Sequence, residues 1–89
     1  MADLAESLFV TVRYFAAARA AAGSDAEQLA VRPGATVAEL VDQLSSRNNE
    51  LARVLCRCSF LCEGVAVRKR TEPLRTDTVI DVLPPFTGG

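Results

Sequence analysis

Histidine is absent from this chain of 89 residues, and with it go the commonest general base near neutral pH and the commonest metal ligand. Cysteine is scarce and odd in number. Cys56, Cys58 and Cys62 offer three sulfurs and no imidazole where a structural zinc site needs four ligands. They are read as reduced core or incidental thiols, Cys58 falling on an apolar stripe with Leu51, Val54 and Leu55. No Gly-rich strand-to-helix turn is followed by Lys and Ser/Thr, so a phosphate loop is excluded. Charge of one sign is not in surplus: ten Lys and Arg stand against eleven Asp and Glu, net -1, which gives no bulk field for nucleic acid or an anionic membrane. No run approaches the roughly 18 apolar residues of a membrane span. Met1 to Ser7 lack the basic start and apolar core of a secretion signal, and a cytoplasmic protein is expected. The carboxylates are scattered through expected loops and exposed faces, Asp81 among them, with no sheltered pair of the kind that acid–base chemistry needs. The partners left to such a chain are protein surfaces.

What is present is the pattern of one small α+β domain. Residues 1–7 are expected to be a loose leader and residues 8–83 the folded body. From Leu8 to Phe15 the residues Leu8, Val10, Val12 and Tyr14 share one face, and Thr11 and Arg13 the other, as in a half-buried strand. Ala16 to Ala22 is almost pure alanine and ends at Gly23, the composition of a short helix with its stop. Glu27 to Arg32 alternates weakly before the Pro33-Gly34 turn and is expected to pair antiparallel with the first strand. Thr36-Val37-Ala38-Glu39 matches a capping box, and Val37, Leu40, Val41 and Leu44 follow at helical spacing. A second, shorter helix resumes at Glu50. Ser59 to Cys62 and Val65 to Val67 flank a Glu63-Gly64 turn, and Thr78 to Leu83 forms the last strand. The basic run Arg68-Lys69-Arg70 is read as a solvated loop. One sheet of four or five strands with a helix across one face fits this order.

The last strand runs into Pro84-Pro85-Phe86-Thr87-Gly88-Gly89. Two prolines cannot donate to a sheet ladder, so the chain must leave the sheet there. Six extended residues reach roughly 20 Å, at about 3.3 Å each, far enough to enter the cleft of another protein. A Gly-Gly pair is thin enough for a channel that any Cβ would block, and the Gly89 carboxylate stands at its tip. Pro84, Pro85, Phe86 and Thr87 are the candidate partner-binding residues, with Phe86 an expected anchor. Gly89 is the candidate reacting residue, and Gly88 gives it access. Against this stands the common frayed Gly-rich end with no role.

Three stretches carry a family resemblance: the strand running into Tyr14-Phe15-Ala16-Ala17-Ala18-Arg19-Ala20-Ala21-Ala22-Gly23, the helix start Pro33-Gly34-Ala35-Thr36-Val37-Ala38-Glu39-Leu40, and the ending from Asp77 to Gly89. Together they resemble the small subunit of molybdopterin synthase, a ubiquitin-like β-grasp sulfur carrier, over nearly the whole chain after the leader. The resemblance implies a mixed sheet with one main helix across it. It also implies that an activating enzyme spends ATP to adenylate Gly89 and that a sulfur donor protein converts the adenylate to a thiocarboxylate. The large catalytic subunit of a heterotetramer then receives the tail, and its sulfur passes to a pterin precursor. This chain would bind no cofactor or metal itself. Other readings of the same tail are a ubiquitin-like modifier joined to lysines, a sister carrier for thiamine or cysteine synthesis, and a plain interaction module in which Gly-Gly has no role.

Overall fold

The computed structural model describes residues 7–85. The expectations for residues 1–6 and for Phe86, Thr87, Gly88 and Gly89 lie outside the described residues. The elements in order are β1 (Leu8–Tyr14), α1 (Ala16–Ala22), β2 (Ala26–Val31), α2 (Val37–Ser45), α3 (Asn49–Leu55), β3 (Ser59–Cys62), β4 (Val65–Ala66) and β5 (Thr78–Leu83). The strands form one five-stranded sheet in the order β2-β1-β5-β3-β4. β1 pairs antiparallel with β2 and parallel with β5, and β3 pairs antiparallel with both β5 and β4. The last strand of the chain is therefore inserted at the centre, beside the first. This mixed order with helices over one face is the ubiquitin-like β-grasp.

Local chemistry explains most element boundaries. The Thr36 hydroxyl accepts from the Glu39 N–H at 3.2 Å and the Glu39 carboxylate accepts from the Thr36 N–H at 3.2 Å, closing the expected capping box. Asn48 caps α3 by accepting from the Leu51 N–H at 2.9 Å, and its amide also donates to the Ala21 carbonyl at 3.0 Å, tying α3 to the end of α1. That cap starts α3 one residue earlier than the apolar spacing suggests. Gly23, at φ +81°, ends α1 in the left-handed region that glycine enters at no steric cost. The β3–β4 hairpin turns through Glu63 and Gly64, both at positive φ, the conformation whose twist suits a two-residue hairpin loop.

Other boundaries move by a residue. β1 stops at Tyr14 because Phe15 already serves as the N-cap residue of α1. β2 runs from Ala26 to Val31 because its register sets Ala26 against Arg13 and Val31 against Leu8. α3 ends at Leu55, so Cys58 lies beyond the helix, buried all the same, with its thiol donating to the Val54 carbonyl at 3.2 Å.

The core lies between the sheet and the helices. Val10, Val12, Tyr14, Ile80, Val82 and Phe60 supply the sheet side; Val37, Leu40, Leu44, Leu51 and Leu55 supply the helix side, with Val41 half-buried at the edge. Under the helices Tyr14 donates its hydroxyl to Glu27 at 2.6 Å, and Arg47 donates to both oxygens of the same carboxylate at 3.0 Å. These bonds join β1, β2 and the end of α2.

Candidate functional site at the base of the tail

Everything that could present the tail converges where β5 ends. β5 is central, so its residues are held from both sides. Leu83 stands opposite Ser59 of β3, and the Phe15 N–H donates to the Val82 carbonyl at 3.2 Å. Pro84 follows, buried, and Pro85 is exposed. The absence of proline N–H groups ends the ladder at this point, as expected. The chain thus leaves from a rigid base that no shift of one edge strand can displace.

Beside this base lies an open groove of about 560 Å³, walled by Ala17 of α1, by Arg53 and Val54 at the end of α3, by Cys56 and Arg57 just beyond it, and by Pro84 and Pro85. α1 and α3 are packed together at that end of the molecule. The prolines carry a sequence signal, but the groove carries none, because its walls come from three distant segments.

The second surface is the face of the sheet away from the helices, which runs from Phe9 at the end far from the tail to Leu83 at the tail base. Core residues alternate along each strand, so Phe9, Arg13, Val79, Asp81 and Leu83 share the outer face with Leu61, which pairs with Asp81. Phe9 is 43% exposed, which makes this face partly apolar. Asp81 corrects an expectation: it is not an exposed carboxylate but only 7% exposed. It lies on the central strand, and the side chain of Arg13 closes over it with bonds of 2.6 and 2.9 Å.

The body offers no catalytic constellation among the described residues. No cluster of three or more Cys, Asp and Glu could hold a metal. Burial pushes the Cys58 thiol up to about 11, with Arg70 acting in the opposite direction. Cys62 is raised by burial and then by Glu63 and Glu72. Thiols shifted upward are protonated at neutral pH and are poor nucleophiles. Cys56 is exposed and free. In the basic run, Arg70 stacks over the Phe60 ring at 4.8 Å, so only Arg68 and Lys69 match a purely solvated reading.

A domain of this topology, with its last strand at the centre of the sheet, is of the ubiquitin-like β-grasp class. The ThiS family model matches residues 12–89, and the chain belongs to that family. This agrees with its resemblance to ubiquitin-like sulfur carriers. Comparison with curated protein sequences gives no match. Among solved structures, a Pyrococcus furiosus protein assigned as molybdopterin converting factor subunit 1 is 28% identical, with a TM-score of 0.82 over 89% of this chain and 99% of that one. Small archaeal modifier protein 1 from Methanosarcina acetivorans is 25% identical, with a TM-score of 0.77 over 93% of this chain and 98% of the other. A complex of subunits 1 and 2 of the molybdopterin-converting factor from Helicobacter pylori contains a chain 22% identical, with a TM-score of 0.69 over 92% of this chain and 100% of that one. That last likeness is one of fold. No described helix is long and apolar enough to cross a membrane.

Proposed function

We propose that this protein is the sulfur-carrying small subunit of a molybdopterin synthase, acting in the cytoplasm. The observation that carries the reading is the family match running through Gly88 and Gly89, joined to a Pro84-Pro85 base at the end of the central strand. An activating enzyme adenylates the Gly89 carboxylate with ATP, releasing pyrophosphate. Sulfide-level sulfur released by a sulfur donor protein then attacks the acyl carbon and displaces AMP, leaving a thiocarboxylate. A carboxylate is a poor acyl donor and AMP a good leaving group, so activation must precede sulfur entry. The large subunit takes in the tail, and docking holds the thiocarboxylate sulfur against the pterin precursor, which replaces a bimolecular encounter by a positioned one. The chain itself contributes presentation: Gly88 keeps the approach narrow, and Pro84 to Thr87 seat against the partner. The Helicobacter pylori complex of subunits 1 and 2 supports a partner of this kind, here in a heterotetramer.

The test is the intact mass of the protein incubated with the activating enzyme, ATP and a sulfur source. Wild type is expected to exchange one terminal oxygen for sulfur and then to support dithiolene formation with the large subunit. Deleting Gly89 pulls the carboxylate back by roughly 3.3 Å and is expected to abolish both. Sulfuration of the pterin at the wild-type rate by the deletion variant would overturn the reading. The likeness to the archaeal modifier supports a second reading, conjugation of Gly89 to protein lysines. It predicts high-mass conjugates on denaturing gels instead of oxygen-for-sulfur exchange.

A further inference from the structure

Several arginines of the domain have a carboxylate partner. Arg13 is paired with Asp81, Arg19 with Asp25, and Arg47 with Glu27. Arg53 and Arg57 are both exposed, line the groove against Pro84 and Pro85, and make no ion pair among the described residues. The dipole at the end of α3 favours positive charge there, which accounts for basic residues at that end. It does not supply a counter-charge for two guanidinium groups beside one apolar wall.

We infer that this groove seats a carboxylate-bearing lip of the partner protein that takes the tail, with Arg53 and Arg57 as its anchors. The inference rests on the carrier reading above. Any cleft that holds the chain beyond Pro85 has its mouth beside Pro84 and Pro85, which are also one wall of the groove. Closure strips water from both arginines, and a desolvated charge without a counter-charge is strongly unfavourable. Aspartate or glutamate on the lip satisfies them, since the planar guanidinium fork accepts a carboxylate through two parallel bonds. Ala17, Val54 and the two prolines offer apolar contact to the stems of such residues. A protein carboxylate fits better than a nucleic-acid phosphate, because a net charge of -1 gives no long-range pull on a polyanion.

The experiment measures association of the full chain with the large subunit and with the activating enzyme from the same cells, at low and high salt. It compares wild type, Arg53→Gln/Arg57→Gln and Arg53→Glu/Arg57→Glu, with thermal melts to verify folding. Charge reversal is expected to slow association with at least one partner about tenfold or more at low salt, with the gap closing at high salt and the glutamine variant between the two. Association rates equal to wild type, or a slowing that does not respond to salt, would overturn the inference. So would binding of a short RNA by wild type that charge reversal abolishes. Removing residues 86–89 separates the two readings. If the truncated chain loses sulfur transfer and still associates in an arginine-dependent way, both stand. If it still transfers sulfur, the carrier reading falls on its own evidence. If wild type associates with neither protein, the carrier reading fails and the groove assignment fails with it.

Discussion

Arg13 and Asp81 stand directly opposite each other on the parallel strands β1 and β5, joined by Nε to Oδ1 at 2.6 Å and Nη2 to Oδ2 at 2.9 Å. Their environments differ: the Arg13 side chain is 51% exposed and the Asp81 side chain only 10%. The bidentate pair therefore staples the two central strands on the face away from the helices, next to the end from which the tail departs.

That asymmetry sets an order of effects. Without Asp81 the arginine can turn into water, but without Arg13 a carboxylate stays sheltered with no counter-charge. Arg13→Ala is expected to lower the melting temperature more than Asp81→Asn does, and the double variant less than the sum of the two. Additive losses, or the opposite order, would mean that the pair does not hold the strands.

Leu40 is 1% exposed at the centre of the α2 stripe. Leu40→Ala is expected to cost about 2–5 kcal/mol in chemical denaturation, as buried large-to-small changes do. A cost under about 0.5 kcal/mol, the size usual for surface sites, would place this face outside the core.

Glu27 predicts a pH dependence. Burial alone would raise its pKa, but the hydrogen bonds from Tyr14 and Arg47 outweigh burial and hold it below the usual carboxylate value. A carboxylate depressed in the folded state stabilises above its unfolded pKa of about 4.3. That contribution is lost as pH falls through the folded value. Glu27→Gln is expected to flatten this part of the acid limb of a melting-temperature profile and to leave the limb's other contributions in place. The bonded partner Tyr14 is shifted the other way, pushed up by burial and then by the Glu27 hydrogen bond. Its contribution is complete below about pH 10 and is lost only as pH rises through the raised folded value. A Glu27→Gln profile that superimposes on wild type below pH 5 would exclude the network as a source of stability.

Phe86 lies outside the described residues, and its role is a prediction about binding. Phe86→Ala is expected to leave the melting temperature unchanged and to weaken association with the large subunit or the activating enzyme, as loss of an aromatic interface anchor does. Equal binding by the two proteins would remove Phe86 from the interface.

The features that the sequence alone determined are those whose physics is local. The Thr36–Glu39 capping box spans four residues, the α2 stripe repeats every turn, Gly23 stops α1, and Glu63-Gly64 closes a hairpin between neighbouring strands. In each case the residues that interact lie within a few positions of one another, so spacing and residue type sufficed. The Pro84-Pro85 stop was legible for the same reason, since a missing N–H needs no partner to have its effect. Tertiary structure alone decided the neighbours of β5. It placed β5 beside β1 with Arg13 against Asp81, 68 positions apart, and turned a carboxylate expected at the surface into a sheltered one. It also brought Ala17, Arg53, Arg57 and Pro84 to one groove and let Tyr14 and Arg47 share the Glu27 carboxylate. Such contacts depend on sheet order and register, which are set by burying every apolar face at once, and no short window of the chain contains that information.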